Sequence, residues 1–173
     1  MRVYLPATIG MLRQLVADGK FMPVSGTGFA LTPALRESYT SGSTDELEYA
    51  ALLDAARASL RLIGAALGDE PEQAESDTEL PRRVVVSVDV DDVTLRPDLD
   101  HAVVRLGGPV ALDDVAAVHV DAAEAEPAVR AASAVIDAAD LGDADAEFVL
   151  GEAEDHELAW YASQELPFLL ELM

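Results

Sequence analysis

The run from Arg82 to Val90 constrains the fold of this chain more than any other feature. It reads Arg-Arg-Val-Val-Val-Ser-Val-Asp-Val, it directly follows Pro81, and it ends at the acidic pair Asp91-Asp92. A run this dense in β-branched residues predicts a strand that is buried on both faces. A strand of that kind lies inside a sheet and requires helices to cover it. The rest of the chain can be placed around this strand.

Two helices are predicted to supply the cover. The first begins with the capping-box spacing of Ser43 and Glu46 and continues to about Leu67. Its apolar residues recur at steps of three and four, and this stripe includes Tyr49 and Leu53. The second is predicted over 127–139, where Pro127 helps to start it. We expect both helices to lie on the faces of the sheet.

Further short runs of β-forming residues predict additional strands, near 1–6, 29–31, 102–106 and 117–121. Together with the two helices they predict an α+β or α/β fold with a mixed β-sheet of about five to seven strands flanked by helices. The length of 173 residues fits a single domain over 1–173.

The segment 156–162 suits two structures. Leu158, Tyr161 and Leu166 roughly follow helical spacing, whereas Leu158, Trp160 and Ala162 alternate as in a strand. We favour the strand, paired with another over 148–153 in a hairpin that turns at 154–155. Pro167 then begins a short terminal helix.

The charge of the chain is strongly acidic, with 33 acidic residues against 11 basic ones and a formal net charge of −22. Nucleic acids and anionic membranes are disfavoured as partners, because both bind proteins through Lys and Arg. A basic protein partner suits this charge. A competing interpretation is that the charge, spread at roughly one per 370 Å² by surface-area scaling, only keeps the protein in solution.

The segment 68–81 concentrates this acidity and includes Pro71 and Pro81. Its composition is too polar to bury much surface, so we predict a mobile acidic loop there. Cysteine is absent from the chain, which excludes disulfides and thiolate metal sites. No apolar run approaches the roughly 20 residues that span a bilayer, and a cytoplasmic location is expected.

Three residues could carry acid-base chemistry: His119, Asp121 and His156. His119 and Asp121 project from the same face of a predicted strand. His156 and Glu157 begin like the zinc-protease helix motif, but Trp160 occupies the position of the second histidine. We therefore predict no metal site. No cofactor motif and no nucleophilic serine motif is found either, so we predict no cofactor.

Five segments resemble a family of uncharacterised actinobacterial proteins; they are residues 1–6, 30–37, 45–52, 117–121 and 156–166. The resemblance implies a bacterial cytoplasmic protein. It supplies no activity, substrate or catalytic residue.

The function expected from the sequence is that of an acidic cytoplasmic binding or regulatory protein. The alternative is a small-molecule-binding protein or enzyme with a site near His119, Asp121 and Trp160. A pocket that converges on two or more histidines and carboxylates would favour the enzyme. An exposed apolar patch ringed by acidic side chains would favour the binding protein.

Overall fold

A computed structural model describes residues 1–68 and 79–173 of the protein. The strands in these ranges are β1 (Arg2–Ala7), β2 (Lys20–Phe21), β3 (Thr27–Phe29), β4 (Val84–Asp89), β5 (Val93–Leu95), β6 (Val103–Leu106), β7 (Val110–Ala111), β8 (Val115–Val120) and β9 (Ala159–Tyr161). The α-helices are α1 (Ile9–Asp18), α2 (Pro33–Ser38), α3 (Thr44–Gly68), α4 (Glu126–Asp140), α5 (Ala144–Glu154) and α6 (Leu166–Glu171). None of the described helices is both long enough and apolar enough to cross a membrane.

Seven of the strands form one sheet in the order β5-β6-β3-β1-β4-β8-β9, and β2 pairs with β7 separately. The α+β class and the seven strands are as predicted. Every pair in the large sheet is antiparallel, although a mixed sheet was expected. The connection from β8 to β9 illustrates why the strands are antiparallel. Because α4 and α5 pack together as a pair, the chain re-enters the sheet at the same end at which it left β8, and β9 runs in the opposite direction.

The valine-rich strand β4 lies inside the sheet, paired with β1 on one side and β8 on the other. Its residues Val84–Val88 are buried, as predicted. Val84, Val86 and Val88 face a core that includes residues of α1 and α6. Val85 faces the opposite way, toward α3. The alternation of side chains along one strand therefore serves two cores.

Helix α3 covers one face of the sheet and begins where the capping box predicted. The Ser43 hydroxyl accepts a hydrogen bond from Glu46 N at 3.2 Å. Deeper in the fold, the buried Ser59 joins the helix to the sheet: its Oγ accepts from Val84 N at 3.1 Å and donates to Ala7 O at 2.7 Å. One hydroxyl thus satisfies polar groups of two strands.

Helix α4 forms where it was predicted, but it packs against α3 and α5 in a third, all-helical cluster. The expectation that it would cover the sheet directly is therefore wrong. Helices α3 and α4 approach each other closely at Gly64 of α3, where an added Cβ would lie 2.6 Å from Ser133 O of α4. The full apolar stripe of α4 is buried by helices rather than by strands.

The predicted strand at 148–153 is wrong, because these residues belong to α5. The Asp143 side chain caps this helix by accepting from Ala146 N at 2.9 Å. Its buried residues Ala146, Leu150 and Ala153 are spaced by four and three, as in a helix. Of the strand predicted over 156–162, the structure contains Ala159–Tyr161 as β9, which pairs with β8 instead of forming a hairpin.

The predicted acidic loop at 68–81 falls mainly on residues 69–78, which lie outside the described residues. Its two ends belong to the structured parts of the fold. Gly68 is the last residue of α3, and Pro81 is buried. Glu79 Oε1 accepts a hydrogen bond from Gly10 N in the first turn of α1 at 2.7 Å.

Candidate binding groove

A groove runs between the first half of α3 and the sheet edge formed by β8 and β9. It consists of adjoining cavities of about 230, 350 and 440 Å³, all of which Tyr49 lines. We call it the α3–β9 groove and define it by Tyr4, Asp45, Glu48, Tyr49, Leu53, Asp54, His119, Glu154, Asp155, His156, Glu157, Leu158 and Trp160.

Strand pairing brings His119 and Trp160 together. They are direct partners across β8 and β9, so both side chains lie on the face of the sheet that α3 covers. Val118 and Val120 point to the opposite face and are buried in the core with α1 and α6. Trp160 is 60% exposed, which is unusual for so large an aromatic residue.

His119 forms the floor of the groove. It is half-buried, and its Nε2 lies 2.9 Å from Ser87 Oγ on the neighbouring strand. Burial, with a smaller contribution from the Arg2 charge, lowers the pKa of His119 below its ordinary value of 6.5. The imidazole is therefore neutral near pH 7 and adds no positive charge to the groove.

Asp121 lies below the groove and is fully engaged by Arg83. Its oxygens accept from Arg83 Nε, Nη2 and the backbone N, each at 2.8 Å. Both side chains are almost completely buried, and Arg83 Nη2 also donates to His156 O at 2.7 Å. Asp121 and Arg83 thus anchor the segment that leads into β9. This arrangement leaves no hydrogen bond between Asp121 and His119.

His156 lines the groove next to Arg83, so the structure brings two histidines and Trp160 to one groove. His101 lies elsewhere, in the loop before β6, where its backbone oxygen accepts a hydrogen bond from the Thr32 hydroxyl. Within the described ranges, no group of three or more His, Asp or Glu residues is placed to hold a metal ion.

Sequence reasoning missed the α3 side of the groove. Tyr49 and Leu53 were expected to face the core, but they are 54% and 44% exposed. The neighbouring stripe of Leu47, Ala51, Leu52 and Ala55 is the buried one. In the first half of α3, apolar residues cover more than half of the circumference of the helix. Such a wide apolar surface indicates that a second face of the helix is available for contacts.

The charges around the groove are unevenly matched. Its three bordering arginines are all neutralised: Arg2 by Asp89 at 2.7 Å, Arg83 by Asp121 at 2.8 Å, and Arg57 by Asp140 and Glu147 at 3.1 Å. In contrast, six groove carboxylates form no ion pair within residues 1–68 and 79–173; they are Asp45, Glu48, Asp54, Glu154, Asp155 and Glu157. Burial and the nearby Asp100 raise the pKa of Asp54.

The fold and the groove define an α+β protein with an antiparallel sheet, helices on both faces, and an acidic groove at one sheet edge. The chain belongs to the family of unknown function DUF6912, whose family model matches residues 1–170. This confirms the resemblance to an uncharacterised family. Comparisons with curated proteins and with solved structures found no match.

Proposed function

We propose that this protein is a binding protein that engages a basic partner protein through the α3–β9 groove. The observation that carries the proposal is the set of groove carboxylates without ion pairs beside arginines that are all neutralised. A cationic surface or segment is what such a groove complements. The proposal places the protein in the bacterial cytoplasm, a reducing compartment that its lack of cysteine suits.

The local charge density separates this proposal from a role of the charge in solubility alone. Averaged over the molecule, the net charge of −22 is dilute. At the groove, six carboxylates without ion pairs lie around adjoining cavities, whereas the arginines that line the same cavities are all ion-paired. A cleft with an excess of one sign of charge focuses its electric field and raises the rate of encounter with a partner of opposite charge.

The groove also offers apolar contact area. Tyr49, Leu53 and Trp160 are large side chains that are each more than two-fifths exposed. They form an apolar strip within the acidic rim, the arrangement expected for a protein-binding surface. Aromatic side chains in such a strip are typical anchors of protein interfaces.

A small-molecule-binding protein or enzyme at the same groove is the second candidate, favoured by the 2.9 Å contact between Ser87 Oγ and His119 Nε2. In a contact of this kind, the histidine can act as the base that activates a serine nucleophile. Ser87 is 1% exposed, however, and Asp121 is occupied by Arg83. Ser87 lines the cavity of about 230 Å³, but so little of it is exposed that its hydroxyl offers a substrate almost no surface, and this geometry favours the binding role.

The proposal can be tested with two matched variants. The groove variant carries Asp54→Asn, Glu154→Gln and Glu157→Gln, and the control carries Asp113→Asn, Glu124→Gln and Glu171→Gln at exposed positions outside the groove. Each loses three negative charges. Proteins retained from native cell extract at low salt are identified by mass spectrometry for wild type and both variants.

We expect wild type and control to retain the same basic proteins, and the groove variant to lose them. Retention should also disappear at about 0.5 M salt, where charges are screened within a few ångströms. Equal retention by the groove variant, or no basic protein retained at either salt concentration, would contradict the proposed function.

A further inference from the structure

The end of the groove next to β1 combines aromatic walls with carboxylates. Tyr4, Tyr49 and Trp160 line this cavity of about 230 Å³, together with Asp45 and Glu48. Trp160 and Tyr49 present exposed ring surface, whereas Tyr4 is buried. Aromatic faces attract cations, and the attraction is strongest for tryptophan.

Glu48 is held in place at this cavity. Tyr4 OH donates to its Oε2 at 3.1 Å, and burial with this hydrogen bond raises the pKa of Tyr4 to about 12. The phenol therefore remains a donor at neutral pH. In the described part of the chain Glu48 Oε1 has no hydrogen-bond partner, so one carboxylate oxygen is free to accept from a ligand.

The positive groups beside this cavity form no ion pair with its carboxylates in the described part of the chain. Arg2 donates from Nε and Nη2 to both oxygens of Asp89, at 2.7 and 3.1 Å, so this pair carries no net charge. His119 is neutral near pH 7 because burial lowers its pKa. Asp45 and Glu48 form no ion pair in the described part of the chain and lie beside exposed aromatic rings, with only a longer-range attraction between Arg2 and Glu48.

We propose that this cavity is a subsite for an arginine side chain of the basic partner, an inference that rests on the proposed function. A planar guanidinium can stack on Trp160 or Tyr49 while its N–H groups donate to Asp45 and Glu48. A lysine ammonium would keep the charge attraction but lose the stacking and the two-pronged hydrogen bonding. The subsite therefore distinguishes arginine from lysine, whereas the rest of the acidic rim responds to charge alone.

Trp160 is the sole tryptophan of the chain, so intrinsic fluorescence reports directly on this subsite. The probes are three capped peptides of sequence Lys-Gly-Xaa-Gly-Lys, in which Xaa is arginine, lysine or citrulline. The lysine peptide has the same charge as the arginine peptide, and citrulline replaces the guanidinium by a neutral urea of similar shape. Each peptide is titrated into the full-length protein at low salt.

We expect the arginine peptide to change Trp160 emission and to bind about tenfold more tightly than the citrulline peptide and about threefold more tightly than the lysine peptide. The variant with Asp45→Asn and Glu48→Gln should lose this preference. The control with Asp113→Asn and Glu171→Gln removes the same charge outside the groove and should keep it. Glutamine at position 48 can still accept the Tyr4 hydrogen bond.

Equal affinity for the arginine and lysine peptides, or an undiminished preference in the Asp45 and Glu48 variant, would overturn the subsite. In either of these cases, weaker binding of the peptides to the Asp54, Glu154 and Glu157 variant than to wild type would mean that only the subsite is wrong, and the proposed function would stand. If none of the peptides bound to the wild-type protein, the proposed function would itself be contradicted.

Discussion

Individual residues decide which polar groups this fold can tolerate in its interior. Arg83 and Asp121 are both about 2% exposed, and each satisfies the other while Arg83 also holds His156 O. A buried ion pair of this kind is not strongly stabilising in itself. Removal of either partner is nevertheless strongly destabilising, because it leaves an unpaired charge away from water.

Substitution Asp121→Ala should therefore destabilise the protein by about 3 to 5 kcal/mol. Asp98→Ala, which removes an exposed ion pair with Arg96, should leave the free energy of unfolding nearly unchanged. Urea denaturation followed by circular dichroism measures both free energies of unfolding. Similar costs for the two variants would show that the Arg83 charge reaches solvent when its partner is lost.

His119 should make stability depend on pH. The unfolded chain takes up a proton near the ordinary histidine pKa of 6.5, whereas burial lowers the pKa of His119 in the folded protein. The contribution of the neutral His119 to stability is thus complete above the ordinary histidine pKa, and it is lost as the pH falls toward the lowered pKa of the folded protein. Between about pH 7 and pH 5, stability should fall less steeply in His119→Gln than in wild type. Parallel pH profiles would mean that His119 is as easily protonated folded as unfolded.

At the scale of the elements, the contact between α3 and α4 sets the helical layer behind the groove. The two helices cross so closely at Gly64 that an added Cβ would lie 2.6 Å from a backbone oxygen of α4. Gly151 of α5 lies in a helix too, but nothing outside its own helix lies within 4 Å of an added Cβ. The same substitution should therefore have opposite effects at the two sites.

Gly64→Ala should destabilise the protein by about 1 to 3 kcal/mol, because α3 and α4 must move apart. Gly151→Ala should stabilise it by about 0.5 to 1 kcal/mol, since alanine favours the helix more than glycine does. Thermal or urea denaturation of the two variants measures both shifts. A stabilising effect of Gly64→Ala would show that the two helices separate at little cost.

At the scale of the whole molecule, the net charge of −22 opposes the compact state. Folding brings the carboxylates closer together than they are in the unfolded chain, and dissolved salt screens this repulsion. The urea midpoint should therefore rise between about 0.01 and 0.5 M sodium chloride. A midpoint that stays constant or falls would mean that the ion pairs of the fold outweigh the general repulsion.

The rate of association with a partner should change with salt in the direction opposite to the urea midpoint. If the acidic groove attracts a basic protein, the association rate should fall as salt increases, while the dissociation rate changes less. Stopped-flow or surface-based kinetics with a captured partner would measure the two rates. A salt effect confined to the dissociation rate would instead indicate short-range contacts and no long-range attraction.

The sequence by itself determined the elements whose signals are local. The β-branched run of β4 and the capping box and apolar repeat of α3 lie within a few residues of the structures that they specify. The sequence did not determine α5, because the short apolar run at 148–153 suits a strand or a helix. Capping by Asp143 and burial of Leu150 among helices decide that segment.

The groove was decided only by the tertiary structure. His119 and Trp160 were found from the sequence as candidates, but their meeting depends on pairing between β8 and β9, 41 residues apart along the chain. Which stripe of α3 becomes buried depends on how the helix sits on the sheet, so the exposure of Tyr49 and Leu53 was not predictable from spacing. The occupation of Asp121 by Arg83 likewise joins residues 38 positions apart. Contacts between distant segments carry no local pattern, and for that reason the charge of the groove can be read only from the folded protein.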